Sequence, residues 1–291
     1  MFVVAGATGR VGSATAHGLL AAGAAVRVLV RRPAAVRQWA DRGADARVLD
    51  LSDRAALTSA LTGANGVFLL LPFNLTVPGP EAHSRVLVAA AAGAVADAGV
   101  PRVVVLSSGG ADLSTGTGPV VGLHHLEESL RKTGTTVTAL RSGHFQEKVV
   151  DVLDVARRHG VYPVFAASAD VPRAMGATRD IGAVAARALL SPPSSNEVVD
   201  VLGPDHTERE VAGVLGTALG RRLEVVPLPE DAWESTLRDT GLPSPAAAAL
   251  AELYRADERG LLAPRGDRSV RLTTPVEHTV AGLVAAAVVP R

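Results

Sequence analysis

The chain has 291 residues, 29 of them basic and 29 acidic, with eight histidines and no cysteine. The balanced charge gives no electrostatic footprint for nucleic acid or an anionic membrane, and the lack of cysteine excludes disulfides, thiol catalysis and thiolate metal sites. The length suits one large domain or two unequal ones, and the longest apolar stretches, Val86–Val95 and Val280–Val289, are too short to span a bilayer.

The chain opens on a buried strand, Phe2–Ala5, with no basic segment before it, so a cytoplasmic location is expected. The strand runs into Gly6-Ala7-Thr8-Gly9-Arg10-Val11-Gly12 and then a helix, Ser13–Ala22. A glycine-rich strand-to-helix turn lets the backbone approach a pyrophosphate, and the helix N-terminus presents free N–H groups and a positive dipole end to it. Gly6, Thr8, Gly9, Arg10, Val11 and Gly12 are therefore the expected dinucleotide-binding loop. Strands follow at Val26–Val30, Ala46–Leu49, Val67–Leu71, Arg102–Ser107 and Val137–Leu140, alternating with helices at Ala34–Arg42, Arg54–Leu61, His83–Ala98 and His124–Thr133. This rhythm predicts an α/β fold with a doubly wound parallel sheet.

After Gly143 the alternation breaks. Helices are expected at Val149–His159, Ile181–Leu190 and Thr207–Leu219, a strand at Val198–Leu202, and a small mixed region built from Leu223–Val226, Pro229–Thr240 and Pro245–Arg259. Thr207 with Glu210 three residues on reads as a capping box. The division predicted is a Rossmann domain over 1–145, with 178–203 returning to it, and a smaller mixed lobe from 146–177 and 204–275.

A dinucleotide unit that takes NAD usually carries an acidic residue after its second strand to accept bonds from the ribose hydroxyls. Here Arg31 and Arg32 stand there. A guanidinium cannot accept a hydrogen bond but pairs well with a 2′-phosphate, which favours NADP(H). The alternative is a solvated loop, which Pro33 also marks. Asp50, after the third strand, is read either as a partner for the adenine edge or as a turn residue.

Taken in order, Gly6–Gly12, Val28-Leu29-Val30-Arg31, Asp50-Leu51, Val105-Leu106-Ser107-Ser108, Glu127–Leu130, Leu140–Phe145 and Arg179–Gly182 resemble the NmrA-like atypical short-chain dehydrogenase/reductases over nearly the whole length. The resemblance implies a Rossmann domain holding NADP(H), a small C-terminal substrate lobe and a cleft between them. It adds Leu51, Leu71 and Pro72 to the cofactor-binding residues, and implies that some relatives reduce quinones or similar acceptors while others only sense the cofactor.

Most short-chain dehydrogenases use a Tyr-x-x-x-Lys pair, in which lysine lowers the tyrosine pKa for proton transfer. Aligning Glu127 with the family's helix glutamate places Pro119 and Leu123 at those two positions, and neither Tyr162 nor Tyr254 falls there. The remaining catalytic candidates are Ser107 at the end of the fifth strand, His124 at the start of the next helix, and His144 after the sixth strand. Histidine can supply a proton near neutral pH, although His124 and His125 point about 100° apart, so at most one is expected in the cleft. Phe145 is read either as a cover for the nicotinamide or the acceptor or as simple core. Phe73 and Leu75 are expected as walls, and Trp233, Leu237, Leu242 and Tyr254 either as an apolar acceptor pocket or as lobe core. No histidine pair has metal-ligand spacing, so no metal is expected.

The function expected is an NADPH-dependent reductase of a small apolar or aromatic acceptor such as a quinone or enone. The alternatives are an NADP(H) sensor read by a protein partner and a non-redox biosynthetic enzyme.

Overall fold

Short apolar strands separated by helices can bury both sheet faces only if crossovers cover each side. The computed structural model describes residues 1–288, so the last residue of the Val280–Val289 stretch lies outside the described residues. The first half runs β1 (Phe2–Val4), α1 (Arg10–Ala21), β2 (Val26–Val30), α2 (Ala34–Ala40), β3 (Asp45–Val48), α3 (Arg54–Leu61), β4 (Gly66–Leu70), α4 (Pro80–Ala98), β5 (Arg102–Ser108), α5 (Val121–Arg131) and β6 (Thr136–Ser142). Next come β7 (His144–Phe145), a 3-10 segment (Gln146–Val152), α6 (Leu153–His159), β8 (Val161–Val164), β9 (Arg173–Gly176), α7 (Thr178–Leu190) and β10 (Glu197–Leu202). The chain continues through β11 (Asp205–His206), α8 (Glu208–Leu219), β12 (Glu224–Pro227), α9 (Trp233–Asp239), α10 (Ser244–Glu258), β13 (Arg268–Arg271) and α11 (Val276–Val288).

The eight-stranded sheet has the order β13-β10-β6-β5-β4-β1-β2-β3, and every pairing in it is parallel. The order reverses between β1 and β4. A crevice opens at such a switch point, outside the carboxyl ends of the strands.

Alternation along the strands divides the core in two. Val3, Leu29, Val67, Val103 and Val105 face Leu57, Leu87 and Leu126 of α3, α4 and α5. Phe2, Val4, Val28, Phe68 and Val104 face Val11 and Leu19 of α1, Trp39 of α2, and Ile181 and Leu189 of α7. On this second side α1 and α7 pack very closely: a Cβ on Gly182 would lie 2.4 Å from the Ala14 Cβ and 2.8 Å from the Val11 carbonyl oxygen.

The lobe adds a three-stranded sheet, β11-β9-β7, and a two-stranded one, β12-β8. One apolar cluster joins Val149, Tyr162, Met175, Leu215 and Val280; another joins Trp233, Leu237 and Ala251. The Thr207–Glu210 capping box forms as expected at the start of α8.

Several boundaries differ from the sequence reading. Helix α1 begins at Arg10 instead of Ser13, so its first turn grows directly out of the glycine loop. The expected helix over 149–159 is preceded and partly replaced by the 3-10 segment, because both its first side chains are anchored. Gln146 donates to the carbonyls of Met175 (3.2 Å) and Thr274 (2.8 Å), and Glu147 accepts from the Thr178 backbone N–H at 3.0 Å. Residues 268–271, read as part of the lobe, instead pair with β10 at the edge of the main sheet.

The packing sets a stability test. Gly182→Ala should lower stability by about 1–3 kcal/mol through overpacking against α1. Gly213→Ala, in α8 with nothing within 4 Å of the new Cβ, should raise it by about 0.5–1 kcal/mol. Urea unfolding of the two variants measures both signs.

Candidate functional site

The glycine loop is shaped by close approach of its own backbone. Gly6 has φ +66°, and a Cβ on Gly12 would lie 2.4 Å from the Gly6 carbonyl oxygen. Gly9 caps α1 without any side-chain hydrogen bond. The first bond across this cap runs from the Ser13 N–H to the Gly9 carbonyl at 3.0 Å. The amides of Arg10, Val11 and Gly12 precede it and stand at the positive end of the helix dipole, as a pyrophosphate requires. This turn, too tight at Gly12 for any side chain and opening on free helix amides, fits a dinucleotide.

Arg31 and Arg32 are exposed just past β2, the neighbour of β1, whose carboxyl end leads into the loop. Neither has a carboxylate within 4.0 Å among the described residues. Asp50 takes the turn role: one carboxylate oxygen accepts from the Ser52 N–H at 2.8 Å and from its hydroxyl at 2.7 Å. Those bonds, with help from the His83 and Arg31 charges, hold its carboxyl below the ordinary carboxylate range. Leu51 packs half-buried against the core.

From the loop a cleft of about 870 Å³ runs between the sheet edge and the lobe. Its walls include Gly9–Gly12, Leu71, Phe73, Leu75, Leu123, Ser107, Phe145, Leu250, Tyr254 and Leu262. Pro72 is half-buried beside Leu71 but does not line it. The Tyr254 ring lies 5.0 Å from Phe165, and the Lys148 ammonium sits 4.9 Å from the Tyr254 ring centre. Trp233, Leu237 and Leu242 serve as lobe core instead of cleft wall. Tyr162 is also lobe core; burial, then the Glu208 carboxylate that accepts its hydroxyl at 2.7 Å, push its pKa well up.

A buried ion cluster underlies the cleft floor. Glu127, 1% exposed, receives the Ser107 hydroxyl at 2.6 Å, Arg141 at 2.8 and 3.1 Å, and Arg131 at 2.7 Å. Burial opposes the Arg141 charge, but the bonds and charge of Glu127 overcome it and raise the guanidinium pKa. Ser107 thus lies in the cleft wall with its proton committed to Glu127. Ser142, opposite Ser108 on β6, is buried with its hydroxyl unpartnered.

His124 corrects the sequence reading. Its Nδ1 bonds the Ala111 carbonyl oxygen at 3.0 Å and its ring packs edge-on against His125, and neither histidine lines the cleft. The helical rotation presents Leu123 to the cleft instead.

His144 and Phe145 both line the cleft. The His144 Nε2 lies 3.1 Å from an Asp257 carboxylate oxygen that also receives Arg173 at 3.0 Å. Burial pushes the Asp257 carboxyl up, but the His144 bond and the His144, Arg173 and Lys148 charges outweigh it, leaving the group below its ordinary value. Asp257 and Arg173 were missed by sequence reasoning: 113 residues separate His144 from Asp257, so no local spacing marks the pair.

A second hollow of about 1000 Å³ lies on the lobe, lined by His159, Arg209, Arg221, Arg222 and several glycines. It lacks the sheet edge and the apolar walls of the cleft. Among the described residues no group of three metal-ligating side chains gathers, and no helix is long and apolar enough to cross a membrane.

Sheet order, glycine cradle and covering lobe together define a dinucleotide-binding Rossmann-type protein with a ligand cleft at its switch point. The model of the NmrA-like family matches residues 1–273, and the chain belongs to that family. It is 29% identical over 257 residues to an NAD(P)H azoreductase of Xenophilus azovorans, covering 87% of this chain and 86% of the relative. It is 30% identical over 259 residues to quinone oxidoreductase 2 of Escherichia coli, with 87% and 86% covered. Among solved structures, the NADPH complex of an E. coli quinone oxidoreductase superposes with TM-score 0.73 at 25% identity, covering 97% and 99% of the two chains. A Citrobacter triphenylmethane reductase complexed with NADP(H) gives 0.78 at 22% identity, with the same coverage.

Two stability predictions follow from the site. Glu127→Ala leaves the buried Arg141 without its main partner and should cost about 3–5 kcal/mol in chemical unfolding. Asp257 contributes stability that is present above its unfolded value, about 3.9, and lost as pH falls through its lower native value. Wild-type unfolding free energy should therefore drop below about pH 4, and Asp257→Asn should flatten that drop; equal acid slopes would contradict the pairing.

Proposed function

We propose that this protein is an NADPH-dependent reductase of a flat, apolar, conjugated acceptor such as a quinone or enone. The observation that carries the reading is the cleft itself: one end is the glycine cradle, and its walls include a group of apolar side chains, Leu71, Phe73, Leu75, Leu123, Phe145, Leu250 and Tyr254. The azoreductase and quinone oxidoreductase relatives support it.

In this reading the amides of Arg10, Val11 and Gly12 hold the pyrophosphate, and Arg31 and Arg32 pair with the 2′-phosphate. Residues 1–145 and 178–203 carry the cofactor, while the lobe covers the acceptor. Asp50 and Leu51 flank the adenosine end, and Leu71 and Pro72 pass the ribose. Phe145 covers the nicotinamide, and Ser107, fixed by Glu127, is a wall that orients the acceptor. When bound, the cofactor supplies a hydride.

The position that the resemblance gives to the dyad lysine holds Leu123, an apolar side chain in the cleft wall. Without a tyrosine–lysine pair to polarise an alcohol or ketone, the site suits acceptors that are already electrophilic. Such acceptors take hydride without prior protonation, and fixed polar groups can stabilise the charge that develops. In this reading the protein works in the cytoplasm.

Purified protein should consume NADPH with a panel of para-quinones and enones; tight NADPH binding without turnover on any acceptor would overturn the reading. Replacing Arg31 and Arg32 together with alanine should weaken NADPH at least about tenfold while changing NADH less than about twofold. Fluorescence titration of both cofactors measures this, and equal losses would contradict the phosphate role.

A further inference from the structure

We infer that His144 and Asp257 form a proton-delivery pair across the cleft, with His144 as the catalytic acid and Asp257 as its positioning residue. The inference rests on the reductase reading above and adds the source of the proton.

The geometry fixes the chemistry of the imidazole. Asp257 is ionised, and a carboxylate can only accept, so the nitrogen 3.1 Å from it, Nε2, carries a proton in either charge state of the ring. That leaves Nδ1 as the nitrogen that gains and loses the exchangeable proton, and no protein group bonds it among the described residues. His144 lines the cleft beside Phe145, the residue assigned to the nicotinamide. The ring cannot swing away easily, since Asp257 is itself clamped by Arg173, whose guanidinium also pairs with Glu258. The charged and titratable groups around it are Asp257, Glu258 and Tyr254 on α10, Arg173 on β9, and Lys148 and Asp151 on the 3-10 segment.

When hydride and its two electrons are added to the conjugated acceptor at the expense of NADPH, negative charge collects on the acceptor's carbonyl oxygen. The Nδ1–H bond of His144 breaks as the O–H bond of the reduced product forms. The neutral imidazole, still donating through Nε2 to Asp257, then regains a proton from solvent. The pair also links lobe to sheet, because Asp257 rides on α10 and His144 follows β6 directly.

The test uses wild-type, His144→Gln and Asp257→Asn proteins with NADPH and a series of methyl-substituted 1,4-benzoquinones and 1,4-naphthoquinones whose reduced oxyanions rise in basicity. If His144 delivers the proton, the ratio of wild-type to His144→Gln kcat should climb along the series, from a few-fold to about 100-fold. For Asp257→Asn, kcat should fall about tenfold with KM changed less than about twofold. A ratio that stays constant across the series would mean a structural role and overturn the pair. A readout independent of turnover is ¹⁵N-histidine NMR, with the His144 signals assigned by their loss in His144→Gln. Above neutral pH the Nε2–H tautomer is expected, and the Nδ1–H tautomer would overturn the inference. Wild-type protein inert toward every quinone would instead overturn the reductase reading and this inference with it.

Discussion

The all-parallel pairing of the main sheet is the constraint from which the site follows. When every strand runs the same way, every carboxyl end opens on one edge, and each residue placed just after a strand arrives at the same crevice. Gly6–Gly12 follow β1, Arg31 and Arg32 follow β2, Leu71 follows β4, Ser107 and Ser108 close β5, and Ser142 closes β6 just before His144. Residues more than a hundred positions apart thereby come together without any local signal. The order reversal between β1 and β4 separates the first crossovers and opens the crevice there.

Burying such an edge under a lobe demands that polar groups be satisfied, since an unpaired buried charge costs several kcal/mol. The cleft floor meets this with Glu127, which takes Ser107, Arg131 and Arg141 at once. The roof meets it with Asp257 between His144 and Arg173. Beside these two ion clusters the cleft carries apolar walls from Leu71, Leu75, Leu123, Phe145 and Leu250.

The half of the fold that positions the cofactor was legible because its signals are local. A buried strand, a glycine turn and a helix are neighbours in sequence, and the capping box at Thr207 needs only four consecutive residues. The lobe resisted reading. Strands β7 and β11 have two residues each, and β8 and β9 have four; their pairing partners are remote, and no periodicity of two can show in so short a run. For the same reason His144 was visible as a candidate while Asp257 was not. His124 was a candidate beside His144, and the rotation of α5, which turns Leu123 to the cleft and His124 to the Ala111 carbonyl, removes it.

The central claim is that one cleft holds NADPH at the glycine loop and an apolar acceptor beside Phe145. A crystal structure of the protein with NADPH and an unreactive quinone analogue tests it most directly. The account predicts the pyrophosphate on the amides of Arg10–Gly12, the 2′-phosphate on Arg31 and Arg32, and the analogue between Phe145 and the Leu123–Tyr254 walls with an oxygen facing His144. An analogue seated in the arginine-lined hollow of the lobe, or a nicotinamide turned away from Phe145, would contradict it.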